Sequence, residues 1–495
     1  MDEGLAVSGA FDRICASRPR HAAIRGSGRE LQYGELLGWS NSVSAALGSS
    51  LSSPGQRVAV LLPNSAEFVA AFFGVARAGG VVAPLAPQYR TQELEFYLRD
   101  LDAAALITSG ALEERAVPVL AQLESPPALI RIGPAMDVRV LRPGGTSKGS
   151  LEMPGSPALL QQYTSGSTGM PKRVVRTHAA LLAELEALHD VFALSPNDRF
   201  LGAAPFSHVN GLVRTMLASM YAGATLYPVA EFRRREVLDL LTRERITFFG
   251  GVPQMFAILS QTPARGHVDL SALRIVFSSS APLLPADNRA FRERYGVCVR
   301  QLYGSTETGT ISFNSHPQPE TRLESVGSPL EGVRVTIVGE QGNPLPDGEE
   351  GEIAISSPFA ASGYAGNPTA TEQAFRDGVY LSGDLGTKDP DGYITLTGRK
   401  KLMINRGGFK VNPYEVEAAI KEYPKVADVA VFGTTGPHGD DIVCCHVVAA
   451  GPCTVDEIVS HCQTRIADYK IPTRIEFRES LPKSSTGKIL RAKLV

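Results

Sequence analysis

At 495 residues, 43% hydrophobic and 20% charged, the chain is long enough to bury large cores and to divide into about two to four domains. With 49 Lys and Arg against 51 Asp and Glu, the formal net charge is −2. That leaves no electrostatic case for nucleic acid or an anionic membrane, and the run Arg233-Arg234-Arg235 is too short to change it, reading as a solvated helix start.

No stretch approaches the roughly 18 to 20 apolar residues that span a bilayer. The acidic N-terminus, MDEGLAVSGAFDRI, has no basic segment followed by an apolar core, so the expected compartment is cytoplasmic. Cys15, Cys298, Cys444, Cys445, Cys453 and Cys462 form no C-x-x-C pair and stand in no metal spacing with His, and are expected to be reduced and mostly buried.

From residue 6 to about 101, amphipathic helices alternate with short apolar strands. RVAVLL at 57–62 is followed by a helix through Phe68, Ala71 and Val75, then GVVAPL at 80–85, a helix near 91–100 and a strand at 104–108. Strand, helix, strand at this spacing predicts a parallel sheet with crossover helices. Residues 133–157, rich in Gly, Pro and Ser, read as irregular connection.

Residues 163–175, YTSGSTGMPKRVV, come next and read as a phosphate cradle. Gly166 and Gly169 permit tight turns that bring N–H groups against an anion. Thr164, Ser165, Ser167 and Thr168 add hydroxyl donors and Lys172 a point charge. The common mononucleotide loop differs, placing Lys and Ser/Thr directly after its second glycine. Helical spacing returns at 178–192, and PFSHVNGL at 205–212 carries a lone His208. An apolar strand within 273–284 exits through SSSAPL at 278–283.

Tyr303-Gly304-Ser305-Thr306-Glu307 offers a flat ring for a purine, a hydroxyl for a phosphate oxygen and a hard carboxylate for magnesium. Residues 333–355 read as paired strands with turn chemistry at Gly342-Asn343 and Pro346-Asp347-Gly348. YLSGDLG follows at 380–386, and a domain boundary is expected within 397–417. Beyond it, helices at 415–422 and 455–466 alternate with strands at 427–432, 443–448 and 474–477, and the chain closes on PKSSTGKILR at 482–491.

These segments, in this order, resemble the signature motifs of the adenylate-forming superfamily: acyl- and aryl-CoA synthetases, adenylation domains of nonribosomal peptide synthetases, and beetle luciferases. The resemblance spans nearly the whole chain. It implies an α/β fold with a large N-terminal adenylation domain (1–398) of parallel α/β subdomains and a small β-subdomain. A hinge at 399–401 and a small, mobile α+β C-terminal domain (402–495) would follow. It also implies ATP, Mg2+ and coenzyme A.

On this resemblance, Thr164, Ser165, Gly166, Ser167, Thr168, Gly169 and Lys172 hold the β- and γ-phosphates. Ser279, Ser280, Ala281 and Pro282 pass along the adenine, Gln301 faces the base edge, and Tyr303 and Gly304 meet the purine. Glu307 takes the metal, and Asp384, preceded by Ser382 where the family has Thr, takes the ribose hydroxyls. Arg399 lies near ribose and phosphate, Lys401 marks the hinge, and Gly407 and Gly408 border a pantetheine channel. The catalytic candidates are Lys488, Thr306 and His208.

Phe206, His208, Val209, Phe249, Val252 and Phe277 are candidates for the acid pocket. Amino-acid-activating members pair the substrate ammonium with an Asp, whereas Phe206 and Ser207 stand in that region here. Burying an unpartnered ammonium costs several kcal/mol, so the expected substrate is a carboxylic acid with an apolar body. Two residues depart from the family pattern: Asn405, where several CoA ligases have Lys, and Arg173, where Gly usually follows the loop lysine.

The implied reaction is ATP-dependent formation of an acyl-adenylate with loss of pyrophosphate, then transfer to coenzyme A with release of AMP. Loading of a carrier-protein phosphopantetheine arm, a luciferase-like oxidative second step and a non-catalytic nucleotide or acyl-adenylate sensor are the alternatives. Oligomeric state stays open.

Overall fold

The computed structural model describes the chain except residues 1–5, 27, 135–136, 146–148, 150, 152–155, 165–170, 264–265, 407–408, 436–440, 485–486 and 495. The fold is α/β. One seven-stranded sheet runs in the order Val138–Arg142, Ala128–Ile132, Ala105–Thr108, Arg57–Leu61, Val81–Pro84, Ala158–Thr164, Lys172–Thr177. Its inner pairings are parallel and both edge pairings antiparallel. Arg57–Leu61, Val81–Pro84 and Ala105–Thr108 are buried at every position, as strands covered by helices on both faces must be, and this is why they read as unbroken apolar runs.

The edge strand Val138–Arg142 lies inside the stretch expected to be irregular. It is partly to fully exposed along its length, so it lacks the apolar signal that marked its neighbours, and pairing with Ala128–Ile132 creates it.

A second sheet begins with Arg29–Gln32, Ala22–Gly26, Thr225–Pro228, Arg199–Gly202, Phe248–Gly251, Ile275–Ser278 and Arg300–Ser305, and continues antiparallel through Gly309–Phe313 and Ser325–Pro329. Ile394–Arg399, Val379–Lys388, Gly351–Ser356 and Arg334–Val338 complete the path. The expected small β unit is therefore an antiparallel extension of the larger sheet. That continuity carries the Tyr303 strand toward the Asp384 strand across a long stretch of sequence.

After the 3-10 turn Lys400–Leu402, Ile404, Val411, Val416, Val431, Val443 and Ile458 pack into a core of their own. The three-stranded sheet there joins Val426–Thr435, Asp441–Ala449 and Arg474–Phe477. This end of the chain is docked on the rest. Lys410 pairs with Glu340 at 3.0 Å, and a Cβ on Gly487 would come within 2.6 Å of Gln254 Oε1. All six cysteines are free, with Cys15, Cys444, Cys445 and Cys462 buried. Among the described residues, no helix is long and apolar enough to cross a membrane.

Candidate active site

The Lys/Ser/Thr/Gly motif joins two antiparallel strands, with Thr164 opposite Lys172 and Tyr163 opposite Arg173. Ser165, Gly166, Ser167, Thr168 and Gly169 lie outside the described residues. The base of the hairpin is held by Asp100 on the helix Thr91–Leu101. The Tyr163 hydroxyl donates to Asp100 Oδ2 at 2.6 Å, and Arg173 donates to the Asp100 carbonyl at 3.2 Å. Arg173, whose effect the sequence left open, thus anchors the strand that presents Lys172.

Lys172 Nζ sits 4.4 Å above the Tyr364 ring, a cation–π arrangement. Tyr364 in turn donates its hydroxyl to Glu307 Oε1 at 2.9 Å. Loop lysine, aromatic ring and buried carboxylate form one column. Burial and the charge of Lys401 lower the Lys172 pKa, and Glu307 opposes them.

Beside this column, the buried Tyr303 donates to Asp384 Oδ2 at 2.7 Å, and Arg399 Nε lies 3.1 Å from Oδ1. Asp384 and Arg399 are direct cross-strand partners. Ser382 in the Thr position is functional as a brace: its hydroxyl donates to the Ile353 carbonyl at 2.8 Å and accepts from the Asp384 N–H at 3.0 Å. Gly383 adopts φ +71°, a conformation that costs glycine least. Burial works against the charge of Arg399, but Asp384 holds its pKa above the ordinary value. Burial, reinforced by Asp384, pushes the Tyr303 phenol well above its own.

The tail returns to this centre. Burial and Arg399 lower the pKa of Lys488, while Asp384 and Glu307 raise it. The loop of Lys488 is pinned by its own backbone N–H to Ser484 Oγ at 3.2 Å. Thr306 is half-buried next to Glu307, at the tip of the hairpin in which Ser305 pairs with Gly309. Lys401 is exposed, and Gly407 and Gly408 lie outside the described residues.

Ser280, Ala281 and Pro282 are exposed on the turn after Ile275–Ser278. Ser280 has φ +78°, a left-handed conformation that costs glycine least. Gln301 departs from its expected place at a base edge. It is buried, with Oε1 accepting from the Leu283 N–H at 3.0 Å and Nε2 donating to the Leu323 carbonyl at 2.6 Å, so its amide braces the turn.

The acid-pocket candidates are divided. Phe206 packs edge-on against Phe68, and Val209 follows His208, which precedes the short helix Val209–Gly211. Burial lowers the His208 pKa to about 4, so its ring is neutral near pH 7. Val252 is buried at the start of the helix Pro253–Ser260. Two of the expected pocket residues lie elsewhere. Phe249 points into the core with Phe256 and Val276, on the sheet face opposite Phe248 and Phe277. Phe277 packs among Phe192, Phe248 and Phe313. Strand alternation sends neighbouring side chains to opposite faces, and apolar character alone did not reveal which face meets the site.

Sequence reasoning missed Tyr364, Asp100 and a buried ionic group beneath the hairpin of residues 304–310. There Arg176 pairs with Glu184 at 2.6 Å, Glu184 Oε1 accepts from the Thr310 hydroxyl at 2.6 Å, and Arg214 donates to that hydroxyl at 2.9 Å. An arginine within an apolar helix was the available signal.

A single buried carboxylate such as Glu307 fits magnesium, which keeps waters and takes its other ligands largely from substrate phosphates. Among the described residues no three His, Cys, Asp or Glu side chains cluster.

Residues 11–365 match the family described as AMP-binding enzyme, and residues 415–488 match the AMP-binding enzyme C-terminal domain. The chain is 31% identical to an oxalate–CoA ligase of Arabidopsis thaliana, over 98% of this chain and 97% of that protein. It is 33% identical to a feruloyl-CoA synthase of an Amycolatopsis species, over 96% of each. It superposes on the crystal structure of ATP-bound MatB from Rhodopseudomonas palustris with a TM-score of 0.87 at 27% identity, covering 98% of both chains, and on the apo form of MatB with a TM-score of 0.76. The chain belongs to the AMP-binding enzyme family, within the adenylate-forming superfamily of acyl- and aryl-CoA synthetases.

Proposed function

We propose that this enzyme activates a carboxylic acid with ATP to an acyl-adenylate, releasing pyrophosphate, and then transfers the acyl group to the thiol of coenzyme A, releasing AMP. The observation that carries this reading is the contact of Tyr303 and Arg399 with the two oxygens of Asp384, beside the Lys172–Tyr364–Glu307 column. Attack of one anion, the carboxylate, on another, the α-phosphate, is opposed by like charge, so cationic donors aimed at the reacting oxygens are what lowers the barrier.

Lys488 supplies that charge between the carboxylate and α-phosphate oxygens. Lys172, with the hydroxyls and N–H groups of 164–169, holds the β- and γ-phosphates. Thr306 orients the α-phosphate. Asp384 takes the ribose hydroxyls with its two oxygens, Arg399 keeping it ionised and aimed, and the Tyr303 ring meets the purine. Glu307 is the residue that would hold magnesium, and the ion would supply charge neutralisation to the nucleotide phosphates.

The unit beyond 399–401 then swings about Lys401, withdrawing Lys488 and opening a route for the thiol. The CoA-ligase relatives support coenzyme A as acceptor. Acid-dependent exchange of labelled pyrophosphate into ATP tests the first half-reaction, and AMP release on adding coenzyme A tests the second. ADP as the product would overturn the proposal.

A further inference from the structure

Arg214 lies within the π-helical segment Leu212–Leu217, six residues after His208. It is 2% exposed. Nε donates to Thr310 Oγ1 at 2.9 Å, one terminal nitrogen to Ser279 Oγ at 2.9 Å, and the other to the Gly309 carbonyl at 3.4 Å. A Cβ on Gly304 would collide with the same guanidinium. Arg214 therefore touches the turn after Ile275–Ser278 and both ends of the hairpin whose tip carries Thr306 and Glu307. Serine at 279 supplies a hydroxyl to receive it.

The hydrogen bonds are made, but the charge is not matched. All three acceptors are neutral, and among the described residues no carboxylate forms an ion pair with Arg214. Glu184, whose charge acts on Arg214, already pairs with Arg176 at 2.6 Å and accepts from Thr310. Two buried arginines thus share one carboxylate. Burial lowers the Arg214 pKa to about 10, still cationic at neutral pH. Removing a cation from water without a contacting anion is costly, and three of the five guanidinium N–H groups are engaged, leaving two to donate. π-Helical turns concentrate at functional sites.

We propose that Arg214 is a specificity-determining residue that forms the polar floor of the acid pocket and selects a short acid whose far end carries a second carboxylate, a dicarboxylate. This rests on the ligase reading above, which puts the reacting carboxylate at the tip of the hairpin, beside Thr306. The second carboxylate supplies the missing anion at the base of that hairpin. A long alkyl or aryl body in its place leaves the guanidinium facing methylene or ring carbons.

The test is acid-dependent pyrophosphate exchange by the full chain with ATP and magnesium. The acids are saturated two- to six-carbon α,ω-dicarboxylates, the monocarboxylates of matching length, octanoate and a phenylpropenoate. The wild-type enzyme is expected to favour one dicarboxylate over its matched monoacid by about 10- to 100-fold in kcat/KM, chiefly through KM, as loss of a charge-assisted bond implies. In Arg214→Met that preference falls to within about 3-fold, whatever loss the two acids share, and Arg214→Lys lies between.

Wild-type preference for octanoate or the phenylpropenoate overturns the inference but leaves the ligase reading standing, and needs no variant to be folded. Equal loss toward both acid classes in Arg214→Met also overturns it, because a merely structural arginine would act that way. Absence of exchange with every acid overturns the ligase reading itself.

Discussion

The Tyr303 hydroxyl meets Asp384 Oδ2 at 2.7 Å, and Arg399 Nε approaches the other carboxylate oxygen at 3.1 Å. The carboxylate is thereby oriented from two sides. Asp384→Asn removes the charge and one acceptor, and is expected to weaken ATP binding by about 10- to 100-fold, the range of charged hydrogen bonds. Tyr303→Phe, which leaves Arg399 in place, costs less than about 10-fold. Calorimetric titration with a non-hydrolysable ATP analogue checks both, and unchanged affinity in Asp384→Asn would remove Asp384 from the nucleotide site.

Lys488→Ala is expected to slow acid-dependent pyrophosphate exchange by about 100- to 1000-fold, while transfer from supplied acyl-adenylate to coenzyme A falls far less. Burial and Arg399 lower the Lys488 pKa from 10.5, so the charged form is lost as pH rises through a value below the ordinary lysine range. Exchange should decline on that alkaline limb, and the limb should vanish in whatever activity Lys488→Arg retains. Equal loss in both half-reactions of the alanine variant would count against a role confined to adenylation.

Glu307→Gln keeps the hydrogen bond to Tyr364 but loses the anion. The magnesium concentration for half-maximal exchange is expected to rise by about 10-fold or more, as removal of one charged ligand implies. Tyr364→Phe shifts it less. A magnesium titration insensitive to Glu307→Gln would place the metal elsewhere.

The Arg176–Glu184 pair is 1% and 0% exposed at its side chains. Arg176→Met or Glu184→Gln strands a buried partner and should lower unfolding stability by about 3 to 5 kcal/mol. The double variant should cost less than the sum, measurable by urea denaturation. Additive losses would show the two charges to be independent.

Val7 donates its N–H to Nδ1 of the buried His178 at 3.2 Å, which requires an unprotonated nitrogen there, and burial lowers the His178 pKa to about 4. The unfolded chain therefore takes up a proton that the native state refuses. Stability associated with neutral His178 is full above about pH 6.5 and falls as pH drops toward 4, by roughly 3 kcal/mol in all. The stability difference between wild type and His178→Asn should shrink over that interval, and a pH-independent difference would exclude His178 as its source.

By itself the sequence determined the local elements and the chemistry available. The apolar runs near 57–62 and 80–85 became the buried parallel strands Arg57–Leu61 and Val81–Pro84 because strand burial on two faces and an unbroken apolar run are the same fact. Tyr303, Glu307, Asp384 and Lys488 were legible because their motifs are local. What only tertiary structure decided was which side chains share a space. Residue 249 went to one face of the sheet and residue 277 to the other, Gln301 turned inward to hold backbone, Tyr364 came between Lys172 and Glu307, and Arg214 was set among Ser279, Gly304 and Thr310. Distance along the chain carries no information about these meetings; strand pairing and close packing do, by bringing remote backbone together and leaving each side chain only the direction its own strand or helix permits.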